Sequence, residues 1–164
     1  MAPALRAPSL GPRGEGWVIA QVALLGAIAV ADYLAWNAAG RTNSWGPVLF
    51  VMGCVMVVAG GGVVFKSVLD LGNGMTVFPR PKAGAQLVQT GAYRLVRNPM
   101  YSGVLLAAFG SAIAAGSIIA VVLSFALFAL FDLKSRREEV WLAASHPQYA
   151  AYRARTRRFI PFVY

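Results

Sequence analysis

TGAYRLVRNPMYSG, residues 90–103, carries a polar cluster straight into a long apolar segment, and its reading decides the fold. Asn98-Pro99 is a helix start. Pro99 has no N–H to lose at the first helical position, and Asn98 is a residue type that caps. In front of that start sit Tyr93, Arg94 and Arg97, where a helix presents unpaired N–H groups and the positive end of its dipole. An anion fits there, and the apolar run behind places the site at a membrane surface.

The composition agrees. Hydrophobic residues make up 58% of the 164 and charged ones 13%, with a mean hydropathy of +0.60, whereas a soluble domain carries about 25% charged residues. The chain reads as an all-α integral membrane bundle in one domain, residues 17–164. Four apolar segments, 17–36, 46–65, 99–115 and 117–133, are the expected spans. The first two approach the ~20 residues that cross ~30 Å of hydrocarbon. Gly116-Ser117 separates the last two and implies a tight helical hairpin. The fourth helix is expected to run on to Ser145, until Pro147 stops it near His146. QYAAYRARTRR then predicts a short basic amphipathic helix, with Tyr149 and Tyr152 at i, i+3. Residues 134–164 form the expected cytoplasmic helical tail.

Charge distribution gives the orientation. The net charge is +9, but the basic residues flank apolar spans instead of forming a soluble face, which argues against nucleic acid and for topology and anionic lipid. Arg41 is alone in the first loop. The central loop carries Lys66, Arg80, Lys82, Arg94 and Arg97, and the C-terminal tail Lys134, Arg136, Arg137, Arg153, Arg155, Arg157 and Arg158. Both termini and the central loop are therefore expected in the cytoplasm, as in an inner or cell membrane protein. The Pro/Gly-rich residues 1–16 read as a cytoplasmic tail, not a cleaved signal peptide.

Small residues mark helix contacts: Gly60-Gly61-Gly62 in the second span, and Gly103, Gly110 and Ala114 in the third. Gly72-Asn73-Gly74 and the FPRPKAG stretch read as turn and extended chain. One cysteine, Cys54, and one histidine, His146, leave no means for a disulfide framework or a metal site. Asp32 lies in the first span, where acids are costly. It stands beside Tyr33 and Trp36 near the outer end, so an interfacial position explains it and no catalytic role is assigned.

Each chemistry-bearing residue has an ordinary alternative. A lone juxtamembrane Arg97 is most often a snorkelling anchor, and Tyr93 and Tyr101 are equally interfacial aromatics. The motif around them reverses that judgement for Arg97. Glu138 and Glu139 read either as a solvated helix face pairing with Lys134, Arg136 or Arg137, or as a functional acidic pair.

The chain resembles the isoprenylcysteine carboxyl methyltransferase family and its relatives, the membrane phospholipid N-methyltransferases. Gln86-Leu87-Val88, Gly91 and Tyr93, then Arg97-Asn98-Pro99-Met100-Tyr101 and Gly103, match the family's cofactor-binding first motif. Glu138-Glu139, followed by Tyr149, Tyr152 and Arg158-Phe159-Ile160-Pro161, match its second. The resemblance implies a membrane methyltransferase whose two motifs fold over S-adenosylmethionine on the cytoplasmic side, with a lipophilic substrate entering from the bilayer. Gln86, Leu87, Val88, Tyr93, Arg97, Asn98, Pro99, Met100, Tyr101, Gly103, Glu138 and Glu139 would bind the cofactor, with Arg97, Glu138 and Glu139 catalytic. The cofactor's carboxylate suits Arg97, and its sulfonium, ammonium and ribose suit the acids. There are departures: Asn98 and Ala85 stand where the prenylcysteine enzymes usually have His. Carboxyl O-methylation is slightly preferred over amine N-methylation. Rival readings are a small four-helix transporter using Asp32 and a lipid-binding membrane protein.

Overall fold

The computed structural model describes residues 10–11, 14–40, 43, 45–72 and 87–164. The expected turn at Asn73-Gly74, the FPRPKAG stretch and Gln86 lie outside these. The described chain is all-helical, without a strand. Helix α1 is Glu15–Ala38, α2 Pro47–Leu71, α3 Pro99–Ala115, α4 Ile118–Ser145 and α5 Tyr149–Arg155, with a 3-10 turn at Gly91–Arg94 before α3. Three of these, α1, α2 and α4, are long and apolar enough to cross a membrane. At 17 residues α3 covers about 25 Å and is the short member. Large apolar side chains such as Val48, Val51, Val55, Val58 and Phe125 are exposed, as lipid-facing residues are.

The closest packing is between α2 and α3, and glycine makes it possible. A Cβ on Gly60 would stand 2.5 Å from the Gly103 carbonyl oxygen, and one on Gly53 would stand 2.5 Å from that of Gly110. The pairing is reciprocal, so the two backbones touch at two points seven residues apart on each antiparallel helix. Backbones that approach this closely gain dispersion contacts that bulkier residues would forbid in lipid. Gly61 and Gly62 have nothing within 4 Å. Of the glycine triplet, only Gly60 meets a neighbour.

Helices α1, α3 and α4 enclose the apolar core, built on Ile28, Leu105, Ala108, Ala112, Leu127 and Phe131, with Phe159 of the tail packed in. The α3–α4 hairpin turns at Gly116, whose φ of 67° is the left-handed C-cap conformation. Ser117 then caps α4 by accepting from Ala120 N. Asn43, between α1 and α2, donates its amide to the Ile113 and Ala114 carbonyls at 2.8 and 2.6 Å, satisfying the end of α3.

Pro99 opens α3 as expected, but Asn98 caps by position only. Its side chain makes no cap bond, and its ψ of 59° lies outside the extended range in which a cap folds back. The cause lies in the tail. Arg97 N and Asn98 N donate to the Arg157 and Arg158 carbonyls at 2.7 and 3.1 Å, within a short parallel bridge between Val96 and Arg157. Ser102 Oγ adds a bond to the Phe159 carbonyl at 2.7 Å. The segment after α5 is thus stitched along the entry to α3.

Candidate active site at the entry to α3

Three segments distant in sequence meet here: the entry to α3, the last three turns of α4, and α5 with the tail behind it. The 3-10 turn is pinned first. Asp70, at the end of α2, accepts from Ala92 N at 2.8 Å. Gly91 has φ 58°, and a Cβ there would overlap the Asp70 carboxylate, so the turn needs glycine on both counts. Tyr152 Oη donates to the Tyr93 carbonyl at 2.7 Å and fastens α5 to the turn. Burial, with lesser pushes from Tyr152, Glu138 and Asp70, raises Tyr93 to about 12. Burial likewise raises Tyr152 to about 12, so both phenols stay protonated donors.

Arg97 is the centre of the polar cluster. Its Nε donates to Glu139 Oε1 at 3.0 Å, and Nη1 donates to the carbonyls of Arg153 and Thr156. Arg158 reaches the same carboxylate, with Nε 3.1 Å from Oε1 and Nη2 3.4 Å from Oε2. Arg153 lies 3.8 Å from Oε2. The side chains of Arg97 and Glu139 are 10% and 7% exposed. One carboxylate therefore gathers and orients three arginines in a poorly solvated place, where such bonds are strong and their loss costly. Arg158 also donates to Asp132 at 2.6 Å. Burial disfavours its charge, but Glu139 and Asp132 outweigh that and hold its pKa above the usual value. A cavity of about 420 Å³ adjoins this cluster, lined by Arg97, Arg136, Arg153, Arg157, Arg158 and Tyr164 among others.

Glu138 goes elsewhere. Successive helical residues point about 100° apart, and Glu138 accepts a 2.5 Å bond from Tyr101 Oη. Tyr101 stacks on Phe131, ring centres 4.5 Å apart, and Lys134 Nζ lies over the Tyr101 ring at 5.0 Å. The acidic pair thus divides: Glu139 holds arginines and Glu138 faces Tyr101 and Lys134.

Asn98 Nδ2 and Tyr149 Oη, both at this site, are among the buried polar atoms that have no hydrogen-bond partner among the described residues. Tyr149 is 2% exposed, and burial followed by the charge of Glu139 raises its pKa strongly. Leaving such groups unpaired is costly, so both are suited to a ligand.

Of the residues expected at the site, Tyr93, Arg97, Asn98, Pro99, Tyr101, Glu138 and Glu139 come together. Leu87, Val88 and Met100 are half-buried. Gly103 instead serves the contact with Gly60 on α2. Asp32 lines a separate, mostly apolar cavity of about 510 Å³ with Trp36, Cys54 and Ser111, at the opposite end of α3. Sequence reasoning overlooked Gln21 of α1, whose Oε1 accepts from Lys134 Nζ at 2.8 Å, and left Lys134 undistinguished from Arg136 and Arg137. A polar residue among the apolar positions of the first span was the available signal. Among the described residues no cluster of His, Cys, Asp and Glu suits a metal ion.

Residues 48–149 match the family model described as phospholipid methyltransferase. Among curated proteins, the cobalt-zinc-cadmium resistance protein CzcN of Cupriavidus metallidurans is 34% identical over 76 residues. That match covers 46% of this chain and 35% of the relative, so the similarity spans about a third of that protein's length.

Proposed function

The chain belongs to the phospholipid methyltransferase family, and on that premise we propose that it is a membrane methyltransferase that moves a methyl group from S-adenosylmethionine to a lipophilic acceptor at the cytoplasmic face. The observation that carries the reading is the Arg97–Glu139 contact at 3.0 Å, which joins a motif before α3 to one late in α4. The cytoplasmic placement rests on the Lys/Arg asymmetry between the loops.

The residues present fit the cofactor, because Asn98 Nδ2 and Tyr149 Oη are buried polar atoms in need of partners. Tyr93, Arg97, Asn98, Tyr149 and Glu138 would hold it, with Leu87, Val88, Met100 and Tyr101 as flanking surface; Pro99 and Gly103 act through helix geometry, and Gln86 completes the motif. When bound, the cofactor supplies a methyl group made electrophilic by a sulfonium. The chain's own task is alignment and exclusion of water, and positioning of reactants is worth about 7–11 kcal/mol. The tail stitched over α3 supports that task.

A carboxylate acceptor needs no base, only a cation to orient it, and the arginine-lined cavity supports that preference. A second reading, amine N-methylation, has its own support in Glu138. Its carboxylate is engaged by Tyr101 and forms no ion pair within 4 Å among the described residues, so it is the acid available to take an amine proton. The test is chemical. Supply membranes carrying the protein with methyl-labelled S-adenosylmethionine, extract the lipids and treat them with mild alkali. Release of volatile labelled methanol supports a carboxyl ester, whereas alkali-stable label shifts the assignment to the amine.

A further inference from the structure

Lys134 lies one turn before Glu138 and is 2% exposed. A buried ammonium is normally paired with a carboxylate, because taking its charge out of water is costly. Here its direct contacts are neutral, Gln21 Oε1 at 2.8 Å and the ring face of Tyr101 at 5.0 Å, and the Glu138 carboxylate acts on it only from beyond ion-pair distance. Among the described residues no carboxylate comes within 4 Å of Nζ, since each ion pair found involves other cations. An ammonium carries three N–H donors, so bonding capacity is left over.

A second buried donor lies at the same level. Contacts from Gln21 to Lys134 and from Ala31 to Ser117 set α1 and α4 antiparallel. Trp17, one turn before Gln21 on the same face of α1, is therefore level with Glu138, one turn after Lys134. Trp17 is 2% exposed, and its Nε1 is buried without a hydrogen-bond partner among the described residues. Two buried donors short of acceptors thus lie within one turn of the level of Glu138, and both depend on α1, which precedes the family-matching residues 48–149. Gln21 stands about 9 Å up α1 from Glu15, so the cluster is within reach of an amphiphile in the bilayer.

We infer that Lys134, set by Gln21 and assisted by the Trp17 indole, anchors an anionic group, carboxylate or phosphate, on the methyl acceptor, so that α1 selects the substrate. The inference rests on the methyltransferase reading for the word acceptor, but the binding it requires is measurable without turnover. Lys134 is the contact residue and Gln21 a positioning residue.

The test uses the whole chain in nonionic detergent, titrated with four single-chain amphiphiles. Palmitate and palmitoyl lysophosphatidate have anionic heads, monopalmitoylglycerol is neutral and hexadecylamine is cationic. The anionic probes should bind about tenfold or more tighter than the neutral one, as expected for one charge-assisted hydrogen bond. Lys134→Gln should bring that ratio close to one. Gln21→Leu, which keeps the charge and loses its orientation, should lower it several-fold, a change of selectivity that a merely structural role would not produce. Arg155→Gln removes a charge from an exposed position and should leave the ratio intact. If Lys134→Gln does not fold, the wild-type ratio and Gln21→Leu still decide. The inference falls if the wild type shows no anionic preference, prefers the amine, keeps its preference in Lys134→Gln, or loses it equally in Arg155→Gln. Separate titration of the wild type with S-adenosylmethionine distinguishes the two failures: cofactor binding without anionic preference sinks only the acceptor anchor.

Discussion

Arg97 Nε donates to Glu139 Oε1 at 3.0 Å, across 42 positions of sequence, and Arg158 Nε meets the same oxygen at 3.1 Å. Glu139 is therefore the keystone of an arginine cluster before it is anything else. Glu139→Gln should lower stability by about 3–5 kcal/mol, because it leaves buried guanidinium charge uncompensated. Glu138→Gln keeps an acceptor for Tyr101 Oη and should cost much less. Thermal unfolding of both variants in detergent checks the contrast.

The α2–α3 contact makes a prediction within one glycine triplet. Gly60→Ala puts a methyl group 2.5 Å from the Gly103 carbonyl oxygen and should destabilise by about 1–3 kcal/mol. Gly61→Ala meets nothing within 4 Å and should be neutral or slightly stabilising, since alanine favours helix by about 1 kcal/mol. Graded denaturation in mixed micelles measures both.

Gly91→Ala should loosen the turn beneath Tyr93, because its φ of 58° and the Asp70 carboxylate both exclude a side chain. Cofactor affinity should fall several-fold while α2 and α3 stay packed. Tyr152→Phe removes the bond to the Tyr93 carbonyl and should cost about 1 kcal/mol in stability. Affinity measured beside unfolding separates the two effects.

Topology is checked by single cysteines in a Cys54→Ala background. Ala38→Cys, exposed at the end of α1, should react with an impermeant reagent on intact cells, and Ala151→Cys, exposed on α5, should not. Labelling of position 151 from outside would reverse the orientation.

Much of the fold was legible in the sequence, because it rests on local rules. Pro99 had to open a helix, Gly116-Ser117 had to turn the hairpin, and Pro147 had to stop α4; the structure has helix ends at all three. Two further features resist local reading. Asn98 could not be known to fail as a side-chain cap, since that depends on bonds from Arg97 and Asn98 N to the tail. Gly53 drew no attention, yet it makes the same contact with Gly110 that Gly60 makes with Gly103. The division of Glu138 from Glu139 was partly foreseeable, because neighbours on a helix never face one way. Their partners Tyr101 and Arg158 were not, since both are brought there by tertiary packing.

The central claim is that the cluster around Arg97 receives S-adenosylmethionine, and calorimetric titration of the whole chain in detergent tests it most directly. Saturable binding is expected, weakened about tenfold or more in Arg97→Ala by loss of a charged hydrogen bond and little affected in Asp32→Asn. Absence of binding in the folded wild type, or binding lost in Asp32→Asn and kept in Arg97→Ala, would contradict the account.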